Sequence, residues 1–134
     1  MSCAKSNILV GDPTGLHADD FVRVLEEMGK DVFVFTDKSS FEEQIALRHY
    51  KGMVVSSMFR NEDVFVDSVK RFKYMFSGSP IVVVSTNKHY TMQIIKSKLP
   101  DCRPEAFLGK PCYDEGASSC FSSVFGNPGW ELLN

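Results

Sequence analysis

The sequence predicts an α/β fold of three layers, a five-stranded parallel sheet sandwiched between helices. Three observations carry this. Five short runs rich in Val, Ile, Leu and Phe recur along the chain, and each is followed by a stretch whose apolar residues return at helical spacing. The runs are nearly continuous in apolar character, as in parallel strands buried on both faces. The connections are short, and no repeat, long linker or low-complexity segment interrupts the alternation, so right-handed β-α-β crossovers follow. Strand order 2-1-3-4-5, the flavodoxin-like arrangement, is the commonest small solution.

Asn7-Ile8-Leu9-Val10 reads as the first strand, ended by the turn Gly11-Asp12-Pro13-Thr14-Gly15. Phe21, Val24, Leu25 and Met28 then stand at i, i+3, i+4 and i+7 of an amphipathic helix, and Gly29 is placed to end it in a left-handed cap. Asp31-Val32-Phe33-Val34-Phe35 has the β-branched and aromatic content of a second strand. A second helix, with Phe41, Ile45 and Leu47, is expected to open on the capping-box spacing of Ser39 with Glu42 or Ser40 with Glu43. Gly52 leads into the central strand, Met53-Val54-Val55-Ser56-Ser57.

Asn61 followed by Glu62 and Asp63 supplies a cap and first-turn acids for a third helix with the stripe Phe65, Val69, Phe72 and Phe76. Ile81-Val82-Val83-Val84 is the most hydrophobic run and reads as an inner strand finishing in Ser85. A fourth helix carries Met92, Ile95 and Leu99 and stops at Pro100. Ala106-Phe107-Leu108-Gly109 is a short last strand, followed by Lys110-Pro111. From Asp114 to Phe125 the periodicity is again helical, but Gly116 and the serines lower the propensity, so this fifth helix is expected to be the weakest. Residues 1–126 are read as one domain and residues 127–134 as a C-terminal tail.

Size and composition fit a single core: 134 residues, 43% of them hydrophobic. Fifteen basic against seventeen acidic residues, a formal charge of -2, argues against nucleic acid or an anionic membrane surface as the main partner. The N-terminus has no apolar run resembling a signal peptide, which gives an expectation of a cytoplasmic protein. Cys3, Cys102, Cys112 and Cys120 form no C-x-x-C pair and no zinc-like spacing with the histidines, and are read as reduced thiols.

In open α/β sheets the chemistry sits outside the carboxyl ends of the strands. The expected order brings Asp12, Ser57, Ser85 and Lys110 towards one crevice. With Val84-Ser85 after the fourth strand, Phe107 in the fifth and Lys110-Pro111 behind it, nearly the whole chain resembles a response-regulator receiver domain, the CheY-like family of two-component signalling and phosphorelays. The resemblance implies that Ser85 matches the hydroxyl residue and Lys110 the lysine that contact a phosphoryl group, and that Phe107 matches the switch aromatic, without its hydroxyl. The phosphate-accepting aspartate of the family aligns with Ser57. The acidic pair after the first strand is reduced to Gly11-Asp12.

Magnesium wants octahedral oxygen coordination, usually with more than one carboxylate or phosphate supplying charge. Asp12 with two neutral serines does not offer it, so no metal, no cofactor and no enzymatic phosphoryl transfer are expected. Asp12 also has a second reading, as a carboxylate beside the first helix's N-terminal N–H groups. Ser57 as a nucleophile would need a base, and His17, His49 and His89 form no elbow pattern with it.

The expectation is therefore a non-phosphorylated pseudo-receiver. The resemblance implies that it binds a protein, or itself, through the face of the fourth helix, fifth strand and fifth helix. Tyr90, Ile94, Lys98, Phe107 and Tyr113 would contribute there. Trp130 is read as packing or contact. Ser57→Asp is expected to leave the fold intact, on the premise that position 57 faces solvent. The alternatives are a small flavin- or nucleotide-binding protein using the Gly11–Gly15 turn, or a receiver phosphorylated at another acid such as Asp37 or Asp63.

Overall fold

The computed structural model describes residues 6–14, 18–109 and 114–126. Within them five strands and five helices alternate: β1 (Asn7–Gly11), α1 (Ala18–Glu27), β2 (Asp31–Phe35), α2 (Lys38–Leu47), β3 (Gly52–Ser56), α3 (Glu62–Met75), β4 (Ile81–Ser85), α4 (Lys88–Lys98), β5 (Ala106–Gly109) and α5 (Asp114–Phe125). The strands form one parallel sheet in the order β2-β1-β3-β4-β5. Fold class and strand order are those the sequence predicts.

Successive side chains of a strand point to opposite faces, and this period sorts the apolar runs into two cores. Leu9, Met53, Val55, Ile81 and Val83 face α2, α3 and α4, meeting Phe41, Ile45, Phe65, Val69, Phe72 and Ile95. Ile8, Val10, Val54, Val82 and Val84 face α1 and α5, meeting Phe21, Val24, Leu25, Ala117 and Phe121. At about 25 cal/mol per Å² of apolar surface removed from water, burial of these runs on both faces is a main source of the sheet's stability.

Helix ends follow local chemistry. Gly29 sits at φ 82, the left-handed conformation expected of it at the end of α1. The cap of α2 differs from expectation: Asp37, not a serine, is the N-cap, and Ser40 closes the box. An aspartate just past β2 already has the extended backbone an N-cap needs, so the box forms two to three residues earlier than Ser39 and Ser40 suggest. The Ser40 backbone N–H, and then its hydroxyl, hold the Asp37 carboxyl below its ordinary range.

Two further expectations are corrected. Ile94 is buried in the core under α4 and does not contribute to an outer face. Ser57 follows directly on β3 and is only 6% exposed, not solvent-facing. Its backbone N–H bonds to the Val84 carbonyl, extending the pairing of β3 with β4 by one residue, and that draws the side chain beneath α4. Lys110, Tyr113, Trp130, Cys3, Cys112, His17 and the expected tail 127–134 lie outside the described residues.

Candidate functional site

The crevice lies over the carboxyl ends of the neighbouring strands β1, β3 and β4, directly after or at which Asp12, Ser57 and Ser85 stand. Asp12 is 2% exposed; its N–H bonds to the Phe35 carbonyl and its carboxylate accepts from the Thr14 hydroxyl. Ser57 and Ser85 are both buried. Phe107 is half-buried on β5, with the Lys88 ammonium 5.7 Å from its ring centre.

Two sets of side chains pack over this end of the sheet. The first is aromatic. Gly11 stands opposite Phe35 on β2 and Val55 on β3. A Cβ at Gly11 would lie 2.2 Å from Cζ of Phe35, so the ring takes the room that a side chain at position 11 would need. Phe35 is fully buried; it stacks on Phe59 at 5.9 Å and 7° and meets Phe41 edge-on at 4.9 Å. Phe59, in the loop after β3, is itself 8% exposed. Such offset and edge-on pairs are favourable beyond the area they bury.

The second set is made of hydroxyls. Thr91, fully buried on α4, shares hydrogen bonds with Ser57 at 2.8 Å and Ser85 at 2.7 Å. Ser85 also accepts from the Asn87 N–H, and Ser56 accepts from the Met58 N–H, so the loops after β4 and β3 are tied by the same two-residue serine turn. Each buried hydroxyl therefore has a partner, which is what makes its burial tolerable.

These residues do not fit a divalent cation. The position beside Asp12 is a glycine whose side-chain space a phenyl ring occupies, and the hydroxyls at 57 and 85 are turned to Thr91. Among the described residues no group of three or more His, Cys, Asp or Glu could hold a metal. Asp37, one of the alternative phosphate acceptors, is committed to capping α2.

At the outer edge of the crevice, Glu62 in the first turn of α3 accepts from the Tyr90 hydroxyl at 3.0 Å and from the Lys98 ammonium. The Lys98 bond, and then the Tyr90 bond, hold the Glu62 carboxyl below its ordinary range, and the same contacts raise Lys98 and Tyr90. Sequence reasoning missed Phe35, Phe59, Thr91 and Glu62 as site residues. Thr91 was detectable in principle, because it stands three and four residues before Ile94 and Ile95 on the buried stripe of α4.

No family model matches the sequence, and no curated protein does. Solved structures do. The chain is similar to the chemotaxis response regulator CheY4 of Vibrio cholerae, with 14% identity over 90% of this chain and 99% of that one at a TM-score of 0.75. It is also similar to a response regulator from Thermotoga maritima, with 13% identity over 92% and 99% at 0.73. A third similar structure is a response regulator protein from Burkholderia pseudomallei with a phosphorylated aspartic acid, calcium ion and citrate, with 18% identity over 96% and 72% at 0.71. At these identities the likeness establishes a CheY-like receiver fold. Among the described residues, no helix is long and apolar enough to cross a membrane.

Proposed function

We propose that the chain is a pseudo-receiver: a module of a two-component-type signalling system that is not phosphorylated, catalyses nothing and works by protein contact. The observation that carries this reading is the Phe35 ring lodged over Gly11, where the aligned acidic pair of a receiver would begin. An acyl phosphate needs a carboxylate to form on and concentrated anionic oxygens to hold the cation that accompanies it. Here the acceptor position is a serine bonded to Thr91, and the cation's ground is aromatic.

The contact surface in this reading is the face of α4, β5 and α5. On that face Lys88 of α4 lies over the Phe107 ring of β5, whereas Tyr90 and Lys98, expected there, are turned to Glu62 of α3. The occupant of the face is a protein partner or a second copy. The fold reading and the charge balance give no support to nucleic acid or membrane as partners.

The experiment is incubation of the purified chain with acetyl phosphate and magnesium, followed by intact mass measurement. The reading requires an unchanged mass. A magnesium-dependent gain of one phosphate, located at any aspartate, would overturn it.

A further inference from the structure

Away from the crevice and from the face of α4, β5 and α5, a cleft of about 250 Å³ opens between α2 and α3. The buried Phe41 of α2 and the half-buried Val64 of α3 supply its apolar lining. Phe41 is also the last of three aromatic rings in contact: Phe59 stacks on Phe35, and Phe35 meets Phe41 edge-on. A flat ring entering the cleft would extend that series by one, in a contact that is favourable beyond the area it buries. The volume lies just under the roughly 300 Å³ at which ligand pockets ordinarily begin, so the occupant is small, the size of one substituted ring.

The charges around the cleft select among such rings. Arg71 and Glu42 pair at 3.4 Å across the two helices and offset one another. Lys38 and Lys70 also line the cleft; both are exposed, and neither has an ion pair among the described residues. Against these two cations stands one carboxylate, that of Asp67. Lys38 is moreover the first residue of α2, whose first turn carries no acid, and a helix start adds partial positive charge there.

We infer that the cleft between α2 and α3 is a binding site for a small aromatic carboxylate, its ring against Phe41 and Val64 and its carboxylate towards Lys38 and Lys70. An anion there gains the attraction of two ammonium groups that otherwise face water, whereas a cation would have Asp67 alone in its favour. Apolar contact is indifferent to charge, so the ring sets the baseline affinity and the lysines set the preference. The site is separate from the proposed contact face, and it stands or falls independently of any result with acetyl phosphate.

The test uses three probes that share a phenyl ring and differ in charge: phenylacetate, phenethyl alcohol and phenethylammonium. Each is titrated at neutral pH into the isotope-labelled chain, through the millimolar range expected of so small a ligand, and read by amide chemical shifts. Phenylacetate should shift residues 38–42 and 64–71 saturably and bind about three- to fivefold more tightly than phenethyl alcohol, the scale of one or two exposed ionic contacts. Phenethylammonium should bind no better than the alcohol, and high salt should shrink the preference for the acid. Lys38→Met and Lys70→Met should each weaken phenylacetate about twofold and leave phenethyl alcohol unchanged, a split that a general loss of structure would not produce.

Four results would overturn the inference: shifts that do not saturate or that fall outside these two segments, equal affinity for the acid and the alcohol, tightest binding of phenethylammonium, or a preference for the acid that persists when both lysines are replaced.

Discussion

The crevice has two halves, closed by opposite chemistry. Over β1, the Phe35 and Phe59 rings stack in the space above Gly11; over β3 and β4, Thr91 reaches down to Ser57 and Ser85. The first half is held by apolar burial and dispersion, which water cannot replace. The second is held by hydrogen bonds that water can replace. The comparison teaches that one crevice can be filled by two kinds of chemistry at once, and that the aromatic filling is the costlier to remove.

The largest expected effect is in the aromatic half. Phe35→Ala empties a fully buried position between Phe41 and Phe59, and should lower the unfolding free energy by about 3–5 kcal/mol in urea titration. A loss under about 1 kcal/mol would mean that the ring is not part of a packed plug.

Ser57→Asp tests the other half by asking whether it can take a charge. The substitution places a carboxylate at a position 6% exposed, so the earlier expectation of an undisturbed fold is replaced by a loss of about 2–3 kcal/mol at pH 7. Burial raises the pKa of the introduced carboxyl, so the folded state binds its proton more tightly than the unfolded state does. The deficit is then smallest below the unfolded carboxyl's value and grows as the pH rises. Urea titrations at pH 4 and pH 7 check the sign; equal deficits at both would contradict the burial.

Thr91→Val keeps the shape of the side chain and removes its hydroxyl. Ser57 and Ser85 each lose a partner, and water has to enter to replace it, so the expected loss is about 1 kcal/mol, well under that for Phe35→Ala. Hydrogen exchange should rise at the β4-α4 junction and stay constant around Phe35. If the two regions loosened together, the two closures would not be independent.

The smallest effect belongs to the Glu62 tie. Its carboxyl is held below the ordinary value of 4.5, chiefly by Lys98 and then by Tyr90. A depressed carboxyl stabilises fully above its unfolded pKa, and that contribution is lost as the pH falls through the lower folded value. Amide protection in the first half of α4 should therefore decline on acidification below that ordinary value, whereas in Glu62→Gln it should start lower and stay flat. Loss of the same size in both would assign the acid sensitivity elsewhere.

Most of the fold was legible because the strands are buried on both faces and their apolar runs are unbroken. Ile81 to Val84 could hardly be anything but an inner strand, and the place of Ser57 and Ser85 at neighbouring strand ends followed from strand order, although the burial of Ser57 did not. The contents of the crevice were less legible for a physical reason. The stack of Phe35 on Phe59 joins a strand end to a distant loop, and no local periodicity encodes that pairing. Thr91 was hidden because a threonine on an otherwise apolar stripe reads as a surface residue until its hydroxyl partners on other strands are known. The Asp37 cap was overlooked because the serines behind it offered the more familiar capping-box spacing.

The central claim is that aromatic and hydroxyl side chains occupy the ground a divalent cation and a phosphoryl group would need. Fluorine NMR of the chain titrated with beryllofluoride and magnesium addresses it most directly, because beryllofluoride bound to a carboxylate beside magnesium mimics the phosphorylated carboxylate. The account predicts free beryllofluoride signals alone at every magnesium concentration; a magnesium-dependent bound signal that disappears on unfolding would contradict it.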